Sequence, residues 1–245
     1  MSDSDGKPNA RRGFLRQVAS AGGALKLGAG SAAAVALTPA VAQTAGPALS
    51  SVPGYICFSP DEAAFVEAMV NIMCPADEFT PNGVDCGLAN FIDRQLAGDF
   101  GRGARRYMRG PWQQGKPQLG YQLPLTPEQY FKAGVEAANS ECNRRHGKTF
   151  DRLAAGEAHA YLSDLASGKV TDPRIPIGSW FNELMYPLFV QACFADPIYG
   201  GNRDKVFWKM VGYPGLPATN MVNMLQYRGK PFPGARDPKS IADFN

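Results

Sequence analysis

The chain has 245 residues, 44% hydrophobic and 19% charged, with a net charge of +3 from 25 Lys+Arg against 22 Asp+Glu. That is enough apolar material for one domain with a real core. Nothing in this charge balance suggests nucleic-acid binding, which needs a basic surface. Lys7, Arg11, Arg12, Arg16 and Lys26, against Asp3 and Asp5, fall within the first 42 positions, so the remainder carries 20 residues of each sign and no net charge.

Those 42 residues read as an export signal. Residues 1–10 are polar, Arg11 and Arg12 precede Gly13, Phe14 and Leu15, and residues 18–37 are rich in Ala and Gly. Charged region, apolar region and a small-x-small site at Ala40 and Ala42 follow in the order of a secretory signal, cut after Ala42. The arginine pair with Phe14 and Leu15 marks the twin-arginine kind. Gly22, Gly23, Lys26, Gly28 and Gly30 weaken the apolar stretch, where a membrane span needs about 20 mainly apolar residues. No later segment is long and apolar enough to span. The expectation is twin-arginine export to the periplasm, with a linker over 43–58 and one domain over 59–245.

The domain should be all-α, an irregular helical fold with long loops and an extended C-terminal tail. Ser59, Pro60 and Glu62 form a capping signal, and Phe65, Met69, Ile72 and Met73 recur at helical spacing up to Pro75. A turn at Pro81-Asn82-Gly83 precedes a helix over 88–96, ended by Gly98. Residues 99–125 read as a surface segment with a short helix over 104–109. Thr126, Pro127 and Gln129 cap a long helix to about residue 145, stopped by Gly147. Further helices are expected from about 150–152 to 168 and over 179–194, the last kinked or restarted at Pro187. Residues 220–245 are polar, with Pro231, Pro233 and Pro238. No strand alternation is present.

The chemistry-bearing motifs are sparse. There is no dinucleotide or phosphate loop and no zinc-helix pattern, and no nucleophile signature. His146 and His159 stand on helices in polar surroundings, as ordinary surface or boundary residues. Cys57, Cys74, Cys86, Cys142 and Cys193 match no metal or haem spacing. An oxidising compartment permits disulfides, the odd count leaves one over, and buried thiols acting as small hydrophobes are the alternative. No catalytic, cofactor or metal residue is expected on this chain. The twin-arginine route exports folded proteins, so a chain without a cofactor site suits it when a cofactor-bearing partner travels along.

Two stretches are distinctive. The first runs from Phe79-Thr80-Pro81-Asn82-Gly83 through Asp85-Cys86-Gly87-Leu88 to Gln95-Leu96. The second runs Asp196-Pro197-Ile198-Tyr199-Gly200-Gly201-Asn202-Arg203-Asp204, followed by Trp208-Lys209 and Gly212-Tyr213-Pro214-Gly215. In this order they resemble the signatures of gluconate 2-dehydrogenase subunit 3, the small subunit of membrane-bound sugar and sugar-acid dehydrogenases. The likeness covers about residues 59–215. It implies a non-catalytic partner within a periplasmic complex. In that complex a large subunit carries FAD, with or without an iron–sulfur cluster, and a multi-haem cytochrome c subunit anchors the assembly and passes electrons to ubiquinone. The small subunit supports folding, export and stability of the large one. Gluconate oxidation to 2-keto-gluconate is the activity implied first; fructose, sorbitol or 2-keto-gluconate enzymes, or an autonomous helical binding protein, are the alternatives. Tyr199, Gly200, Gly201, Asn202, Arg203, Asp204 and Trp208 then read either as a docking surface for the large subunit or as a buried turn that shapes this domain.

Overall fold

The computed structural model describes residues 54–113, 115–116, 119, 122–217 and 220–244. The expected export signal, with Arg11, Arg12, Phe14, Leu15, Ala40 and Ala42, lies outside these residues, as does most of the expected linker. The described residues are helical and contain no strand; an isolated parallel bridge pairs Gly215 with Lys239.

Helix α1 (Pro60–Met73) starts on the expected capping box. Ser59 Oγ accepts from Glu62 N at 3.4 Å, and the Glu62 carboxylate accepts from Ser59 N at 2.8 Å. Its buried residues Phe65, Val66, Met69, Val70 and Met73 follow helical spacing and place the helix in the middle of the core. Phe65 lies against Phe150 and Trp180, with ring centres 4.8 and 6.0 Å away.

Helix α2 (Leu88–Ala97) buries Leu88, Phe91, Ile92 and Leu96, and also Asp93. The Asp93 carboxylate accepts from the backbone N–H groups of Ile56 (2.8 Å), Cys57 (2.8 Å) and Phe58 (3.0 Å). A buried carboxylate is tolerated when donors surround it, and here it ties residues 56–58, at the described end of the expected linker, to the domain.

No helix forms over 104–109, contrary to expectation. Residues 101–105 are turns instead. Gly103 sits at φ +71°, and Arg106 N donates back to Gly103 O at 2.9 Å. Gly101 is pressed so closely on α2 that a Cβ there would lie 1.7 Å from Leu96 O. Glycines at these points turn the chain just before the expected helix.

Helix α3 (Pro127–His146) begins on the Thr126/Gln129 capping box and ends at Gly147 with φ 69°. The 3₁₀ turn Phe150–Arg152 leads to α4 (Ala155–Ala166). Helix α5 is continuous but compound. It comprises Ile177–Trp180, a π-helical turn Phe181–Met185 and the α-helical stretch Tyr186–Phe194. Pro187 has no N–H to offer Glu183 O, and its ring would clash with that carbonyl. The wider π turn just before it absorbs the mismatch without ending the helix.

The packing of α3 on α5 depends on one small residue. A Cβ at Gly134 would lie 2.1 Å from Trp180 Nε1. Trp180 is fully buried and its indole N–H has no hydrogen-bond partner among the described residues. Tyr161 lies against Phe150, ring centres 5.9 Å apart, and its hydroxyl donates to Ala138 O at 2.7 Å. After α5 come α6 (Val206–Val211) and, within the tail, α7 (Met221–Gln226).

Candidate partner-docking corner

The two distinctive sequence stretches meet in space. The first is a knot at the end of α1. Asn82 Oδ1 accepts from Asp85 N at 2.9 Å, and Asn82 Nδ2 donates to Asp85 Oδ2 at 2.8 Å. Val84 N donates to Asn71 Oδ1 at 3.0 Å. A Cβ at Gly83 would lie 2.3 Å from Val70 O, so only glycine fits. Cys74 and Cys86 both point their sulfurs at Pro81 O, at 3.8 and 3.4 Å. Gly87, at φ 78°, then turns the chain into α2.

The second stretch lies on that turn. Arg203 N donates to Cys86 O at 3.0 Å. The chains touch so closely that a Cβ at Gly87 would lie 2.2 Å from Gly200 O. Gly200 itself has φ +103°, and a Cβ at Gly201 would lie 2.4 Å from Ala192 O on α5. These glycines permit backbone contact between α2, α5 and the loop, which is the physical content of the motif.

Three residues without glycine's freedom also occupy the left-handed region: Asn202 (φ 46°), Asp204 (φ 57°) and Lys205 (φ 58°). Such backbone costs of order 1 kcal/mol or more per residue and persists only where surroundings fix it. Asn202 is 0% exposed. Its Nδ2 donates to Ala195 O at 3.2 Å, and its Oδ1 accepts from Phe207 N at 3.0 Å. Lys205 pairs with Asp243 of the tail, and Ser240 also donates to Asp243. Those donors, Lys205 first, hold the Asp243 carboxyl well below the usual range. Asp196 closes the loop, accepting from Ile198 N at 3.0 Å and from Ile241 N at 2.9 Å.

Of the seven residues read as a docking surface, Gly201, Asn202 and Trp208 are buried within this chain. Trp208 donates its indole N–H to Phe194 O at 2.8 Å and lies edge-on to Tyr213, ring centres 5.1 Å apart. Gly200 and Arg203 are half-buried, and Tyr199 and Asp204 are exposed. The loop is thus an internal turn on its inner side and presents a rim on its outer side.

That rim borders a feature that sequence reasoning missed. Phe91 and Gln95 of α2, Val190, Gln191 and Phe194 of α5, and Ala195 and Tyr199 line an open groove of about 520 Å³, almost wholly apolar. Its walls come from segments about a hundred positions apart, so no local pattern announced it. The signal present was the placing of Phe194 and Tyr199, two large rings flanking the Asp196-Pro197 turn.

His146 lies edge-on to Tyr161 with ring centres 6.1 Å apart, and His159 is exposed. Burial pushes the thiols of Cys57 and Cys142 up to about 11, away from the thiolate that nucleophilic chemistry uses. Among the described residues no group of three His, Cys, Asp or Glu side chains could hold a metal ion, and no helix is long and apolar enough to cross a membrane.

Phe194, Ile198 and Tyr199, at and beside the groove, are left exposed, the kind of apolar surface that meets a partner. The family model described as Gluconate 2-dehydrogenase subunit 3 matches residues 60–215, and the chain belongs to that family. The match spans both loops of the corner. No curated protein and no solved structure matches the chain. The chain is therefore a small subunit of a gluconate 2-dehydrogenase-like complex.

Proposed function

We propose that this chain is the non-catalytic small subunit of a periplasmic, membrane-bound flavoprotein–cytochrome c dehydrogenase that oxidises a sugar acid, D-gluconate to 2-keto-D-gluconate. Family membership across residues 60–215 carries the reading. In it the substrate's hydride passes to FAD on the large subunit, and c-type haems on the cytochrome subunit carry the electrons onward. This chain supplies the twin-arginine signal, helps the large subunit fold and stays bound to it, reaching the membrane only through the complex. The outer face of the corner, formed by Tyr199, Arg203 and Asp204 beside the apolar groove, is the surface offered to the large subunit. Asn202, Gly201 and Trp208 act behind it by fixing its shape.

The test is one export variant with two substitutions. Arg11→Lys with Arg12→Lys should trap this chain and the large subunit together in the cytoplasm, leaving the periplasm without flavoprotein. A large subunit that still reaches the periplasm at the wild-type level would overturn the carrier role.

A further inference from the structure

No residue from 220 to 237 is buried, and the chain meets the domain again where Ala235 lies by Gly212 and at the buried Pro238. Leu216 N donates to Lys239 O at 2.8 Å, and Lys239 N donates to Pro214 O at 3.0 Å. Gly215, at φ +76°, is pressed against the returning chain; a Cβ there would lie 2.0 Å from Lys239 O. The segment is an arm with a pinned root. It lies outside the stretch shared with the family, which ends at residue 215.

The arm carries α7 (Met221–Gln226), a helix of six residues with no side-chain cap and no buried residue. Met221, Val222, Met224 and Leu225 are 69, 70, 73 and 75% exposed. Met221, Met224 and Leu225 fall at i, i+3 and i+4, so they share one face, and Val222 stands at its edge. A helix this short is far below the roughly 12–15 residues that hold together alone in water. Four large apolar side chains in solvent contribute nothing to the domain that carries them. Their placement makes sense only against a second surface.

The charges choose between surfaces. Arg228, Lys230 and Arg236 make no ion pair among the described residues, while the arm's acidic residue, Asp237, is taken up by Lys239. Two copies of the arm laid together would set three cations against three. An apolar groove rimmed by carboxylates would take the stripe and neutralise the flanks. We infer that α7 and its basic flank form a clasp that docks in such a groove on the large, FAD-bearing subunit. This rests on the small-subunit reading above. The corner at 196–208 is then the part of the interface common to the family, and the arm is the part that selects this chain's own partner.

The experiment uses the full chain co-expressed with a tagged large subunit. It compares wild type, Met221→Asp with Leu225→Asp, and Arg228→Glu with Lys230→Glu. All four side chains lie in solvent, so the melting temperature of the purified small subunit should not change. Recovery of the small subunit on the large one should fall about tenfold or more for the apolar pair. It should also fall for the charge pair, with weaker salt dependence than wild type. Variants recovered at wild-type stoichiometry, while the wild type still brings the flavoprotein, would overturn the clasp and leave the small-subunit reading intact. A wild type that brings no flavoprotein would overturn both. A wild-type chain that is dimeric by light scattering, and monomeric as Met221→Asp with Leu225→Asp, would assign the arm to a second copy and overturn the proposed occupant.

Discussion

Replacing Asn202 by Ala removes both side-chain bonds at the centre of the corner. Phe207 N–H and Ala195 O, joined to Asn202 at 3.0 and 3.2 Å, lose their partner in a place the side chain itself shields from water. An orphaned buried donor or acceptor costs about 1–3 kcal/mol. Alanine at φ 46° adds about 1 kcal/mol of backbone strain that asparagine tolerates better. The expected loss is about 3–5 kcal/mol, a fall in melting temperature of about 10 °C or more for a domain of this size. Asn202→Gly separates the two causes, because it loses the same bonds but keeps the left-handed backbone. It should be the less damaged variant by about 1 kcal/mol. Thermal and urea unfolding followed by far-ultraviolet circular dichroism read both. If Asn202→Ala stays within about 1 kcal/mol of wild type, the corner is not held in the way argued here.

Three further outcomes follow from the geometry. Gly134→Ala drives a Cβ to 2.1 Å from Trp180 Nε1 and should cost about 1–3 kcal/mol or more by overpacking. Trp180→Phe added to it should recover part of that loss, and strictly additive losses in urea unfolding would contradict the contact. Glu141 accepts bonds from Arg144 and Arg145, and these guanidiniums, Arg144 first, lower its carboxyl from 4.5 to about 2. A depressed carboxyl contributes stability fully above its unfolded value and loses it as pH falls toward the folded one. Urea midpoints of wild type should therefore converge on those of Glu141→Gln between about pH 4.5 and 2; a constant gap across that window would refute the pairing.

The capping signals were legible because they are local. Ser59 with Glu62, and Thr126 with Gln129, announce α1 and α3 within four residues, and both boxes form. Gly147 likewise ends α3 where the sequence placed its stop. The short helix expected over 104–109 does not form because Gly101 is held against Leu96 O of α2 and Gly103 turns the chain at φ +71°, and a contact with α2 leaves no local pattern. The π turn at Phe181–Met185 follows from Pro187, but only a helix already held at both ends by the core has reason to widen rather than break. The distinctive loops were legible as motifs, and the family they pointed to is the one that matches. Their meeting at Gly87 and Gly200 was not legible, since 113 positions separate the two glycines. The apolar helix α7 was hidden by the polar, proline-rich composition around it.

Affinity purification of the tagged chain from solubilised membranes, with an absorption spectrum and peptide identification of its companions, bears most directly on the small-subunit reading. The expected result is two co-purifying chains, one with a flavin spectrum and one with c-type haem bands, and bleaching of the flavin on addition of gluconate. A colourless, solitary chain, recovered under gentle conditions with the candidate partners expressed, would contradict it.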